Sequence, residues 1–193
     1  ERLVFSGRDE GPAELHVMPS RGGPAERLTW TGGRGCRAYA WTDDGGEILF
    51  GAGHEHPFSL SEVFRVSSAG GPIEKQAFDH ASNLALGPNG RIALGRLTAD
   101  SARWKRYRGG TAGTIWIDAD GSGAFTRLTE LDGNLGHPMC IGDRVWFVSD
   151  HEGVGNLYST DASGGDLKRH TSFKDFYVRW PAHDGETVVF TAG

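Results

Sequence analysis

The sequence predicts an all-β fold of short antiparallel strands, and three observations carry that expectation. Thirty glycines punctuate the 193 residues, many of them at turn positions. Between them lie short runs of β-branched and aromatic residues, while apolar positions at helical spacing are hard to find. The third observation is that the chain repeats itself.

The first recurring strand reads "RLVFSG" (2–7), "EILFGAG" (47–53), "RIALGR" (91–96), "RVWFVSD" (144–150) and "TVVFTAG" (187–193). Its apolar anchors are Phe5, Phe50, Leu94, Phe147 and Phe190, which gives steps of 45, 44, 53 and 43 residues. A second strand follows each of the first four anchors: "ELHVMP" (14–19), "EVFRVS" (62–67), "TIWIDA" (114–119) and "NLYSTD" (156–161). Turns at Gly22-Gly23, Gly70-Gly71, Gly121 and Gly164-Gly165 lead to a third, "ERLTW" (26–30), "KQAF" (75–78), "TRLT" (126–129) and "KRHT" (168–171). The fourth is "AYAWTDDGG" (38–46), "NLALGPNG" (83–90), "PMCIGD" (138–143) and "VRWPAHDGE" (178–186). Its Asp-Gly and Asn-Gly pairs tolerate positive φ and suit tight hairpins into the next anchor strand.

Four strands repeated every 40 to 45 residues or so are the signature of β-propeller blades, which bury their faces only by stacking on neighbours. The count is seventeen strands, a little over four blades, with repeats near 1–36 (partial), 37–82, 83–136, 137–175 and 176–193 (partial). The expectation is one partial β-propeller domain spanning 1–193, a fragment of about four blades. Six blades at this period need roughly 270 residues, so a part of a six-bladed propeller is expected, with a self-contained four-bladed ring as the alternative.

A formal charge of −5 argues against a dedicated nucleic-acid binder, which needs a broad excess of Lys and Arg. Cys36 and Cys140 stand far apart with no CxxC pattern, so a redox motif and a zinc ribbon are excluded and a reducing compartment fits. No apolar run reaches membrane-spanning length, and no membrane partner is expected.

Several motifs invite chemistry and meet a plainer reading. No G-x-S-x-G pentapeptide occurs, and "GGTAG" (109–113) lacks the Lys-Ser/Thr of a phosphate loop. His54, Glu55 and His56 supply metal-ligating types, yet neighbours on a strand point to opposite faces and Pro57 follows, so a solvated loop is expected. His137, His151, His170 and His183 lie near turns without clustered partners in sequence. Asp118, Asp120, Ser122 and Gly123 mimic the start of a calcium loop, but Thr129 occupies the place of the bidentate acid and the flanks read as strands. No metal and no cofactor is expected.

The third repeat exceeds its neighbours by eight to ten residues, all between Leu97 and Gly113, where the chain reads "ARWKRYRGGTAGTIWI" (102–117). Long loops on a rigid scaffold are where function is placed. Two readings stand. In one, Trp104 and Tyr107 plug an apolar surface while the cations of 103–108 stay solvated. In the other, Lys105, Arg106 and Arg108 present charge to peptide C-terminal carboxylates, to which Arg makes forked hydrogen bonds.

"AWTDDGGEILFG" and "AERLTW" resemble the propeller repeat of TolB-like proteins. "WKRYRGGTAGTIWI" (104–117) and "HTSFKDFYVRW" (170–180) resemble the N-terminal six-bladed propeller of tricorn proteases, and that resemblance runs through the whole chain. It implies a part of a large cytosolic serine peptidase, hexameric in the family, that trims peptides released by the proteasome or similar machines. The family's nucleophile and histidine lie in later domains, so no catalytic residue transfers to this chain. The implied role is accessory: an axial channel that admits or releases peptides, and faces that dock on the enzyme's other domains. The rival is a TolB-like or WD40-like propeller acting as a protein-interaction scaffold.

Overall fold

The computed structural model describes every residue except Glu10, His56, Pro57, Phe58, Ser59, Ala99, Ser101 and Glu186. Among the described residues there are seventeen strands, all paired antiparallel, and one 3-10 turn at Pro88–Gly90. No helix among them is long and apolar enough to cross a membrane. The chain divides into two compact units, Glu1–Ala81 and Ser82–Gly193.

The first unit holds two sheets. β1 (Arg2–Gly7), β2 (Glu14–Pro19) and β3 (Glu26–Arg27) form one in sequence order, and β4 (Cys36–Trp41), β5 (Glu47–Ala52), β6 (Glu62–Ser67) and β7 (Glu74–Lys75) form the other. Alternation along the strands sends Leu15, Val17, Ile48, Phe50, Phe64 and Val66 into one core. The last strand of each sheet is only two residues long, and beside β3 a hydroxyl extends the pairing. Thr29 Oγ1 accepts the Leu15 N–H at 2.9 Å and donates to the buried Glu14 carboxylate at 2.6 Å.

The second unit is made of two four-stranded sheets and a two-stranded one. β8 (Asn83–Leu86), β9 (Ile92–Arg96), β10 (Thr114–Asp118) and β11 (Thr126–Arg127) precede β12 (Leu135–Ile141), β13 (Arg144–Ser149), β14 (Asn156–Asp161) and β15 (Lys168–Arg169). β16 (Val178–Asp184) pairs with β17 (Thr187–Ala192). The threonine device recurs: Thr171 Oγ1 accepts the Leu157 N–H at 2.9 Å and donates to Asn156 Oδ1 at 2.8 Å. Ile115, Ile117, Leu128, Val145, Phe147 and Tyr158 belong to one core shared by the β8–β11 and β12–β15 sheets. Gly164, at φ +84°, marks a close approach between them, since a Cβ there would lie 1.7 Å from the Leu128 carbonyl oxygen.

Irregularity is concentrated in the first strand of a sheet. β4, β12 and β16 each carry a register shift, at 38–40, 136–139 and 179–182. His137 and Trp180 adopt positive φ at these bulges, and their rings meet edge to face at 5.7 Å. β12 packs against β8, β9 and β16, so the second unit brings its sheet-leading strands together.

Candidate functional site

The long loop between β9 and β10 is held by residues from all three sheets of the second unit. It leaves β9 through Leu97 at φ +55°, and Thr98 Oγ1 donates to Asn83 Oδ1 at 3.1 Å. Asp100 Oδ2 accepts both Nε (2.9 Å) and Nη2 (2.5 Å) of Arg179 on β16. Asp100 also receives the Ala102 N–H on its side chain and the Arg103 N–H on its carbonyl, which starts a turn. A second turn is closed by Tyr107 N–H to Trp104 O, and inside it Arg106 takes φ +58°.

The cations of this turn have different partners. Arg108 pairs with the Asp132 carboxylate. Arg106 donates Nε to the Gly153 carbonyl at 2.9 Å, in the turn after β13, and its backbone N–H goes to Asp150 Oδ2 at 2.8 Å. The Lys105 ammonium lies 5.0 Å from the Tyr177 ring centroid, a cation-π contact. Among the described residues, neither Lys105 nor Arg106 has a carboxylate within ion-pair distance of its side chain. Tyr177 Oη donates to the same Gly153 carbonyl at 2.9 Å. Burial, reinforced by the Asp150 charge and opposed by Arg106, holds the Tyr177 phenol above its ordinary pKa.

Trp104, Lys105, Arg106, Tyr107, Arg108 and Thr111 line an open cleft of about 610 Å³. Trp104, which a plug would cover, is 59% exposed and packs in a tilted arrangement at 5.6 Å against Tyr107, whose hydroxyl accepts from Thr111 Oγ1. The aromatic pair therefore borders the cleft. The structure thus brings Lys105, Arg106 and Arg108 to one surface, with Arg108 already neutralised.

The other sequence motifs resolve locally. Asp118 Oδ1 accepts the N–H groups of Gly121 and Ser122, and Oδ2 that of Gly123, so it braces its own turn. His54 packs on the Phe64 ring at 4.9 Å, whereas His56 and Pro57 lie outside the described residues. His151 Nδ1 lies 3.0 Å from Ser149 Oγ, and His170 stacks on Trp146 at 3.7 Å. Sequence reasoning missed Asp150, Asn134, Gly153 and Arg179 as partners of the loop. One signal was present: the two stretches with the most specific resemblance, 104–117 and 170–180, meet here through Lys105 and Tyr177.

Residues 1–193 match the family model described as the tricorn protease N-terminal beta propeller domain. The chain belongs to the tricorn protease family. Tricorn protease homolog 1 of Streptomyces coelicolor is 39% identical over 192 residues, which are 99% of this chain and 18% of that protein. The tricorn protease homolog of Saccharolobus solfataricus is 40% identical over 185 residues, 96% of this chain and 17% of that protein. A solved tricorn protease superposes with a TM-score of 0.84 at 31% identity, over 99% of this chain and 19% of the other. This tricorn-family chain therefore spans less than a fifth of the length of those relatives. A TolB structure from Agrobacterium tumefaciens, at 17% identity and a TM-score of 0.75 over 69% of its length, shares the propeller fold.

Proposed function

We propose that this chain is the non-catalytic propeller part of a tricorn-like serine protease that trims oligopeptides downstream of the proteasome. On this reading the propeller guides peptides into or out of the enzyme, docks on its other domains, and works in the cytoplasm within a homo-hexamer. Lys105 and Arg106, with Arg108 beside them, receive the peptide C-terminal carboxylate. The observation that carries the reading is the cleft itself: in a family of peptidases, two cations without a carboxylate partner face solvent beside two aromatic rings. A carboxylate arriving there meets ammonium and guanidinium donors in charge-assisted geometry.

The test uses the full-length enzyme carrying Lys105→Glu and Arg106→Glu together, assayed on peptides with a free C-terminus and on the same peptides amidated. A charge-assisted hydrogen bond contributes about 1.5 to 3 kcal/mol, so kcat/KM for the acid should fall about tenfold or more relative to the amide. Arg108→Glu should do less, because Asp132 already neutralises that guanidinium. Equal losses on acid and amide would remove the substrate contact. A full-length protein with no peptidase activity would favour a scaffold instead.

A further inference from the structure

We infer that Asp150 is the positioning residue of the cationic loop, its carboxylate fixing the direction in which Lys105 and Arg106 face; the link to selectivity rests on the carboxylate reading above. Asp150 follows β13 and is fully buried, at 0% exposure. Its Oδ2 accepts the Arg106 backbone N–H at 2.8 Å, and its Oδ1 accepts the Asn134 N–H at 2.8 Å. The Asn134 side-chain amide donates to Asp150 Oδ2 at 3.2 Å and to the Trp104 carbonyl at 3.3 Å. Asp150 and Asn134 together thus hold the carbonyl of residue 104 and the amide of residue 106, on either side of Lys105.

The chemistry of this grip asks for a carboxylate. Both of its oxygens receive backbone N–H groups, and a carboxylate is acceptor-only at both. An amide at this place would turn an NH2 group towards one of those donors. The grip also explains a backbone feature: Arg106 sits at φ +58°, which a residue with a large side chain adopts only where its surroundings enforce it. Room for the carboxylate comes from Gly133, where a Cβ would lie 2.9 Å from Asp150 Oδ1. Direct contacts to Asp150 oxygens come from neutral donors, so burying this charge is a cost that the loop geometry has to justify.

The experiment compares Asp150→Asn with Asp118→Asn in the full-length enzyme. Asp118 is likewise a buried carboxylate with three N–H donors, but all three are backbone groups of its own turn after β10. Two quantities are read: the rate of tryptic cleavage after Lys105 and Arg106, followed by mass spectrometry, and the acid-to-amide ratio of kcat/KM. Asp150→Asn should speed that cleavage and lower the ratio by about tenfold, the scale of one lost charge-assisted contact, through KM with kcat unchanged. Asp118→Asn should do neither. Asn134→Ala, which keeps the backbone donor, should shift both readouts in the same direction by less, and it serves where Asp150→Asn does not fold.

Tryptic rates equal in the Asp150 and Asp118 variants overturn the inference. So does an unchanged ratio in Asp150→Asn where the Lys105→Glu, Arg106→Glu enzyme does change it. If that charge-reversed enzyme also keeps its ratio while cleavage of Asp150→Asn is faster, the positioning role stands and the carboxylate reading falls.

Discussion

Gly164→Ala probes how the two complete sheets of the second unit meet. Two separate penalties act at this position. Its φ of +84° is one that a residue with a Cβ adopts at a cost of about 1 to 2 kcal/mol, partly offset by about 0.4 to 1 kcal/mol from the stiffer unfolded chain. The added Cβ would also lie 1.7 Å from Leu128 O, half the 3.4 Å at which ordinary contact begins, and the obstacle is backbone. Overpacking of that kind adds about 1 to 3 kcal/mol. Gly123 separates the terms, because its φ is +83° and nothing lies within 4 Å of its Cβ position. Gly123→Ala should therefore cost about 1 kcal/mol and Gly164→Ala about 2 to 4 kcal/mol. Urea midpoints read by tryptophan fluorescence measure both. Equal midpoints would refute the close approach of β8–β11 and β12–β15 and, with it, the stacking that the shared core implies.

Phe147→Ala should cost about 3 to 5 kcal/mol, because that ring is fully buried and stacks on Tyr158 at 6.3 Å, whereas Phe190→Ala, at a half-buried anchor, should cost less in the same denaturation assay. Stability should also depend on pH near neutrality. Burial, with Arg144 and Lys168 adding to it, lowers the pKa of His170, and burial lowers that of His151 against the opposing charges of Glu152 and Asp150. Folded values below the unfolded value of about 6.5 mean that the unfolded chain binds more protons in between. This contribution is therefore present above about pH 6.5 and is lost as pH falls through the folded values. Midpoints measured from pH 7.5 to 5 should fall, and His170→Gln should flatten the slope; an unchanged slope would show that the ring titrates alike in both states.

The repeat was legible because it is written in local chemistry. Asp44, for example, accepts the Gly46 N–H at 2.9 Å, and Asp161 that of Gly165 at 2.9 Å, so the turn residues announce the hairpins they close. Apolar alternation then names Phe50, Leu94 and Phe147 as buried anchors. Less legible were the strand starts: β4 begins at Cys36 and β12 at Leu135, each a little before the expected run, because pairing continues past the bulges. The insertion could be read from length alone, and its cations from composition. Its grip could not, since Asp150 reaches Arg106 across 44 residues and looks in sequence like the last residue of "RVWFVSD". Nothing local distinguishes it from the turn aspartates.

The distribution of charge in the loop accounts for a basic cluster on a chain of net charge −5. Acids near the loop are committed to holding it: Asp100 to Arg179, Asp132 to Arg108, and Asp150 to the backbone of Arg106. None of these contacts uses the Lys105 ammonium or the outer nitrogens of Arg106. Lys105 instead meets the face of Tyr177, which attracts a cation without neutralising it. An acid opposite either group would have satisfied the loop and closed the cleft to anions. Backbone and ring contacts in that place hold two cationic side chains without a carboxylate partner, as the proposed reception of a peptide carboxylate requires.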